Sequence, residues 1–134
     1  MSEHHLVFDQ KVELAYQYTV GRVQRAFLRG LAEQRLLAST DGRRRFVPAR
    51  PFAPDGTRLD EVIPVEARGA VVVATTAHHL PGAPVFGLVH IEGTQGPMLH
   101  RLEELLEPGT LVEPVWEPDA APAILAIRAF RRVG

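Results

Sequence analysis

The stretch "LASTDGRRRFVPARPFAPDGTRLDE", residues 37–61, determines how the chain is organised. Two tight turns flank a segment rich in Arg and Pro. Pro48, Pro51 and Pro54 exclude a regular helix, so we predict short extended pieces joined by turns over residues 37–60. This is the layout of a small metal-binding ribbon, yet the chain contains no cysteine. The sequence therefore raises the question of what holds such a ribbon and what it does.

The composition is that of a folded protein of ordinary size. The chain has 134 residues, of which 46% are hydrophobic and 23% charged, enough for one domain with a small appendage. The net charge of −1 gives no argument for binding nucleic acid or a membrane. The absence of Cys excludes disulfides, and neither a secretory signal nor a run long enough to span a bilayer is seen. We therefore expect a cytoplasmic protein that does not bind membranes.

The region before the ribbon divides into an arm and a helix. Residues 1–18 hold apolar side chains without a sustained period, which is typical of an arm that docks on a partner or on its own domain. Residues 19–36 have apolar side chains at helical spacing, with Thr19 as an N-cap. We predict one amphipathic helix there. Its apolar positions are Val20, Val23, Phe27, Leu28 and Leu31.

The region after the ribbon, residues 61–134, has the pattern of β-strands. Runs such as "GAVVVATTAHH" and "PVFGLVHIEG" are rich in β-branched residues or alternate in polarity, and turn residues separate them. Roughly five or six such strands predict a small barrel or sandwich. The predicted fold class is mainly β with one N-terminal helix.

Four stretches resemble one known family, in the order and at the spacing that the family has. They are "FLRGLAEQRLLA" in the helix, "FVPARPFAPDG" in the ribbon, "ARGAVVVATT" at the first barrel strand and "PGTLVEPVWEP" near the end. The family is DUF35, whose members carry an N-terminal helix, a rubredoxin-like zinc ribbon and a C-terminal OB-fold barrel. The resemblance covers about residues 17–131. It implies a ribbon at residues 37–60 followed by an OB barrel at residues 61–134.

The zinc ligands of such a ribbon are missing here. Zinc needs four ligands in a tetrahedron, which two Cys-x-x-Cys knuckles supply. The resemblance places the first knuckle on Ala38 and Asp41 and the second on Ala53 and Gly56. Only Asp41 offers a ligand atom, and one carboxylate does not make a structural site. We therefore predict a degenerate ribbon that keeps its shape without zinc, and no tightly bound cofactor.

The resemblance also implies a function. DUF35 members are usually accessory subunits of thiolase-superfamily enzymes, including acyl-CoA thiolases, hydroxymethylglutaryl-CoA synthase assemblies and aldolases of steroid side-chain degradation. They are associated with acyl-CoA binding and with shaping the partner's active site. By resemblance, this chain is a noncatalytic subunit of a heteromeric complex in lipid or steroid metabolism. The sequence itself contains no nucleophile-elbow, phosphate-loop or metalloprotease motif.

Two groups of residues are candidate binding sites. The one basic run suits bidentate contact with the phosphates of coenzyme A, and a solvated basic turn is the alternative. It consists of Arg43, Arg44, Arg45 and Arg50. Apolar ribbon residues and the histidines of a predicted barrel loop are candidate contacts for the partner enzyme. They are Phe46, Val47, Phe52, His78 and His79.

Two alternative functions stay open. One is a stand-alone acyl-CoA-binding module. The other is a single-stranded nucleic-acid-binding protein, which would expose aromatic side chains on the barrel strands to stack on bases. Trp116 and Phe86 are the candidates for stacking, whereas the near-neutral net charge argues against nucleic acid.

Overall fold

A computed structural model describes residues 21–117, 119 and 123–134 of the chain. The predicted arm at residues 1–18 and the predicted cap Thr19 lie outside the described residues. The described part consists of a helix, a three-stranded sheet and a closed barrel of five strands. The mainly β fold class, with a ribbon-like segment before a barrel, is confirmed.

Helix α1 covers residues 21–32 and packs against the sheet through one apolar face. Val23, Phe27 and Leu31, which lie four residues apart, are all buried. The helix ends before Gln34, whose left-handed φ of 59° reverses the chain. Its C-terminal end is therefore earlier than the predicted end at residue 36, because the chain has already entered a strand by that residue.

The ribbon is built on an antiparallel sheet of three strands in the order β2-β1-β3. Their bounds are β1 Leu36–Thr40, β2 Arg45–Phe46 and β3 Glu61–Val65. All five residues of β1 are buried, because α1 covers the sheet and β1 is the central strand. The edge strand β3 carries Pro64, which is tolerated there because an edge strand has unpaired N–H positions.

The start of the barrel differs from the prediction at residue 61. Strand β3 pairs with β1 along its whole length, from Thr40 with Glu61 to Leu36 with Val65. It therefore belongs to the ribbon sheet, and the first barrel strand begins at Gly69. The short run "EVIPV" has strand character, but nothing in it identifies which strand it will pair with.

Five strands close the barrel in the order β4-β5-β6-β8-β7. They are β4 Gly69–Thr76, β5 Val85–Ile91, β6 Met98–Leu102, β7 Leu111–Trp116 and β8 Ile127–Arg132. Strands β6 and β8 run parallel, and the other neighbours run antiparallel. This is the Greek-key connectivity of an OB barrel, as predicted. A short 3₁₀ helix, η1 at Ala123–Leu125, precedes β8.

One continuous core joins the ribbon to the barrel. The barrel interior is filled by side chains such as Phe130, Val89 and Val112, all completely buried. The same cluster includes residues of α1 and β1. At the start of β4, a Cβ on Gly69 would lie 2.5 Å from the carbonyl oxygen of His90, so only glycine allows β4 and β5 to approach closely there. The ribbon is thus held against the barrel by shared apolar burial.

Candidate functional site: the ribbon

The ribbon contains two similar turns, each made of an aspartate followed by a glycine with positive φ. In the first, Gly42 has a φ of 97°, and Asp41 Oδ1 accepts hydrogen bonds from the backbone N–H groups of Arg43 at 3.0 Å and Arg44 at 2.8 Å. In the second, Gly56 has a φ of 87°, and Asp55 Oδ1 accepts a hydrogen bond from the backbone N–H of Thr57 at 3.1 Å. Asp-Gly pairs favour such turns because the carboxylate satisfies nearby N–H groups and glycine adopts positive φ without strain.

The guanidinium of Arg44 joins the two turns. Its Nε and Nη2 each lie 3.0 Å from Asp41 Oδ2, and its Nη1 lies 3.0 Å from Asp55 Oδ2. The second oxygen of Asp55 is 3.4 Å from Nη2. The guanidinium carbon also lies 5.6 Å from the centre of the Phe46 ring, within the range of a cation–π contact. We call this Asp41–Arg44–Asp55 arrangement the arginine clasp.

Both carboxyl groups of the arginine clasp are held in the charged form. Backbone N–H groups of Arg44 and Arg43, followed by the Arg44 side chain, lower the pKa of Asp41 to about 2. The Arg44 side chain, followed by the hydroxyl and N–H of Thr57, lowers the pKa of Asp55 to about 2. The pKa of Arg44 is raised in turn, first by Asp55 and then by Asp41. All three groups therefore stay charged at neutral pH.

The arginine clasp bridges the two turns that a metal would bridge in a zinc ribbon. Ala38 and Ala53, at two of the predicted ligand positions, are buried and offer no ligand atom. Asp41, at the third, already binds two backbone N–H groups and Arg44. The carboxylate opposite Asp41 belongs to Asp55, one residue before the predicted position Gly56. Sequence reasoning missed Asp55 and the role of Arg44, although the two Asp-Gly pairs flanking an Arg run were visible signals.

The ribbon also has a small core of its own, which corrects two predicted partner contacts. Phe46 is buried with Ala53 and Leu59, and Val47 is buried in the main core. Neither side chain is available as an anchor for a partner. Phe52, in contrast, is 47% exposed. Of the apolar ribbon residues predicted to contact a partner, only Phe52 is presented to solvent.

The loop that carries Phe52 is fixed to the sheet by polar contacts. The backbone N–H of Arg50 donates to Ser39 Oγ at 2.8 Å, and Ser39 is completely buried in β1. Arg50 Nε donates to the carbonyl oxygen of Phe52 at 2.6 Å. Farther along, the backbone N–H of Leu59 donates to the carbonyl oxygen of Pro51 at 2.8 Å. Phe52 is thus held outward by an ordered loop, so little order must be imposed on this loop when it binds.

A groove runs beside this loop, between the ribbon and the connection from β5 to β6. It has a volume of about 490 Å³. One wall includes Pro48, Arg50 and Pro54, and the other consists of residues 95–97. A second depression of about 350 Å³ is lined by residues 48–52. The two sides are tied together where the backbone N–H of Gln95 donates to the carbonyl oxygen of Arg45 at 2.7 Å. We call this surface, with Phe52, the ribbon groove.

The structure does not gather the four predicted phosphate-binding arginines into one site. Arg44 is occupied by two carboxylates, which corrects its predicted role. Arg43, Arg45 and Arg50 form no ion pair with any residue that the structure describes. Arg50 lines the ribbon groove and Arg43 lines a depression next to Asp41. Among the described residues, these three cations are therefore not neutralised by a carboxylate, and they lie at different positions around the ribbon.

The predicted histidine contacts lie far from the ribbon. His78 and His79 are exposed in the turn between β4 and β5. The ribbon meets these strands at their other end, where Gly69 pairs with Ile91. Because β4 has eight residues, at about 3.3 Å per residue, the two ends are roughly 20 Å or more apart. His78 and His79 therefore do not belong to the ribbon groove.

The two strand histidines have structural roles. Nε2 of His90 donates to the carbonyl oxygen of Thr94 at 2.7 Å and so closes the turn after β5. His100 lies edge-on to the Phe130 ring, with 5.1 Å between ring centres. Burial lowers the pKa of His100. Its neutral form therefore fits the barrel wall better than its charged form.

Metal binding is the first testable consequence of the arginine clasp. Within residues 21–117, 119 and 123–134, no three His, Cys, Asp or Glu side chains lie close enough to share a metal ion. We predict that protein purified without chelators contains no stoichiometric zinc by elemental analysis, and that EDTA leaves its thermal midpoint unchanged. One zinc per chain, or a midpoint that falls when EDTA is added, would overturn this prediction.

Comparisons with known proteins identify the fold. No family model and no curated protein sequence matches the chain. A chain of the structure described as "Ltp2-ChsH2(DUF35) aldolase" is similar, with a TM-score of 0.65 and 20% identity over 84% of this chain and 96% of that chain. A DUF35 protein of unknown function from Sulfolobus solfataricus has a TM-score of 0.64 and 18% identity, over 98% of this chain and 96% of that chain.

Among the described residues, no helix is both long enough and hydrophobic enough to cross a bilayer.

The resemblance seen in the sequence is confirmed at the level of the fold, because the match extends over the helix, the ribbon sheet and the barrel. The chain has the fold of the DUF35 proteins.

Proposed function

We propose that this chain is a noncatalytic accessory subunit of a thiolase-superfamily enzyme that acts on acyl-CoA. The observation that carries the proposal is the preserved ribbon. The two turns of the ribbon are joined by the ion pairs of Asp41, Arg44 and Asp55, and beside them lie a largely apolar groove and the half-exposed Phe52. The similarity in fold to a chain of the Ltp2-ChsH2(DUF35) aldolase supports a heteromeric complex of this type.

The ribbon groove is the surface that faces the enzyme in this proposal. Phe52 supplies a rigid aromatic anchor at 47% exposure, and the surrounding prolines limit the order that must be imposed on binding. The depression next to Phe52 offers room for an apolar side chain of the partner. The chemistry of the complex belongs to the enzyme, because the described residues include no pair of nucleophile and base that we can assign.

Arg43, Arg45 and Arg50 border the entrance for coenzyme A in this proposal. Their guanidinium groups are not neutralised by described carboxylates, and Arg is suited to phosphate groups because it binds two oxygens at once. Arg44 is excluded from this role, since the arginine clasp already uses its donors. No acyl-CoA is tightly bound by the chain alone in this account, because the cations are spread rather than gathered.

Co-expression with a thiolase-like protein from a neighbouring gene tests the proposal. We expect the two chains to elute together in size-exclusion chromatography with light scattering, in a fixed ratio and at a mass above that of either chain. Independent elution at micromolar concentrations would contradict the subunit role. Binding of acyl-CoA by the chain alone, without any complex, would instead favour the stand-alone module.

The phosphate role has its own test in the Arg43→Glu, Arg45→Glu double variant. We expect this variant to form the complex while its Michaelis constant for acyl-CoA rises about tenfold or more, because hydrogen bonds to charged groups contribute roughly 1.5–3 kcal/mol each. The matched control is Arg132→Glu, which reverses an exposed charge on β8 outside the ribbon at a residue that forms no ion pair with the described residues. An unchanged Michaelis constant in the double variant would remove these two arginines from the coenzyme A site.

A further inference from the structure

The outer wall formed by β4, β5 and β6 carries a row of exposed aliphatic side chains. Val73 on β4 pairs directly with Leu88 on β5, which pairs with Leu99 on β6. Val73 is 50% exposed and Leu99 69% exposed. Leu88 points outward as well, since its neighbours Gly87 and Val89 are both buried. We call Val72, Val73, Leu88 and Leu99 the aliphatic face.

A backbone irregularity enlarges the aliphatic face. The register between β4 and β5 shifts between Val71 and Val73, so Val72 is an extra residue in β4. Val72 is 47% exposed next to Val73. A bulge re-aims side chains, and bulges often occur next to functional sites. Two adjacent valines therefore face solvent on a strand whose alternation would otherwise turn one of them inward.

The aliphatic face lies on the wall of the barrel that OB folds use to bind ligands. It is centred on β5 and β6, the second and third barrel strands, and this wall is where OB barrels bind extended ligands. Single-stranded nucleic acid needs exposed aromatic side chains for base stacking. Here the exposed residues are aliphatic, Phe86 is half-buried at the border, and Trp116 packs against the core from β7. The surface therefore fits an apolar protein surface better than unpaired bases.

The charged side chains at the edge of the aliphatic face indicate what kind of surface it binds. Arg101 lies directly opposite Phe86, and His90 follows Leu88 on the outer side of β5. The outward-facing residues of these three strands include no Asp or Glu. A second copy of the chain packed face to face would bring Arg101 near another cation, and its β4, β5 and β6 would supply no carboxylate. A partner surface that is apolar and bordered by carboxylates would be complementary to the aliphatic face and to Arg101.

The aliphatic face continues into the ribbon groove. Pro97 lines that groove, and Leu99 follows two residues later on β6. A standard protein interface involves roughly 20–30 residues on each side, more than the ribbon groove alone provides. From this continuity and the charge pattern, we infer that the aliphatic face is a second part of the enzyme interface and docks on an apolar, carboxylate-bordered surface of the partner subunit.

This inference rests on the proposed function and is tested on the same complex. In the Leu99→Asp variant we expect affinity for the thiolase-like subunit to fall at least about tenfold, measured by titration with both proteins purified. Leu125→Asp is the matched control, because Leu125 is 57% exposed before β8 on the opposite wall. In Arg101→Glu we expect a loss that shrinks as salt is raised, because the border contact is electrostatic.

The outcomes separate the inference from the proposed function. If the wild-type chain forms no complex, the proposed function fails. If the wild-type complex forms and Leu99→Asp, with an unchanged thermal midpoint, binds equally well, the inference alone is overturned. Two further results would overturn it as well: dimerisation of the isolated chain that Leu99→Asp abolishes, or binding of a labelled oligothymidine that Leu99→Asp abolishes.

Discussion

Replacing Arg44 by Glu is expected to disrupt the ribbon while the barrel stays folded. The substitution places a third carboxylate between Asp41 and Asp55, whose side chains both bind the Arg44 guanidinium in the native protein. We expect the thermal midpoint to fall by several degrees, and amide resonances of residues 39–59 to lose dispersion while those of β4 to β8 keep theirs. The barrel resonances should survive because the five strands close on one another and Phe130, Val89 and Val112 fill the barrel interior.

The matched control is Arg43→Glu, which makes the same change of charge one residue away. Arg43 is exposed and forms no ion pair with a described residue, so we expect a midpoint close to that of the wild type. If Arg44→Glu and Arg43→Glu lower the thermal midpoint equally, the change in net charge accounts for the effect, and the arginine clasp does not stabilise the ribbon.

A neutral variant, Arg44→Gln, shows how the arginine clasp changes the pKa values of Asp41 and Asp55 and the pH dependence of stability. Because the folded-state pKa of each carboxyl is about 2, below the ordinary value of 3.8, their contribution to stability is fully present above the ordinary pKa and is lost as pH falls toward 2. Carboxyl resonances of Asp55 should titrate at a higher pKa in the variant. Those of Asp41 should move less, because backbone N–H groups are the larger cause of its low pKa.

Replacing Phe52 by Asp is expected to weaken binding of the proposed enzyme subunit strongly. A central aromatic anchor of an interface contributes roughly 2 kcal/mol or more, which corresponds to about 30-fold in affinity. The chain should still fold, because Phe52 is 47% exposed and lies outside both buried clusters. Titration of purified enzyme against the variant measures the loss.

Leu105→Asp provides the control for Phe52→Asp. Leu105 is 61% exposed in the turn after β6, so the variant adds the same charge at an apolar surface position away from the ribbon. We expect it to bind the enzyme as the wild type does. A Phe52→Asp protein with a normal thermal midpoint and wild-type capture would mean that the ribbon is not the anchor.

Most of the barrel could be predicted from sequence because its strands are encoded locally. The β-branched run from Gly69 and the alternation around Leu88 indicate strands without reference to distant residues. Strand pairing is not local. Residues 61–65 carry strand character, but their assignment to the ribbon depends on β1, more than 20 residues away, and the sequence of either segment does not specify that partner.

In the ribbon, too, contacts between side chains that are distant in sequence could not be predicted. Loss of the zinc ligands could be predicted position by position from the family resemblance. The arginine clasp could not be predicted, because Arg44 and Asp55 are 11 residues apart and only the folded chain brings them together. Val47 was predicted to contact a partner enzyme as one of the apolar residues of the ribbon. The barrel and helix supply the missing partners, so Val47 joins their core.

In the proposed complex the enzyme subunit carries out the chemistry, and an assay of acyl-CoA turnover tests this assignment. Three preparations are compared: this chain alone, the thiolase-like subunit alone, and the complex. We expect no turnover by the chain alone, and turnover by the complex that depends on the catalytic residues of the enzyme. Turnover by the purified chain alone that changes with substitutions in this chain would contradict it.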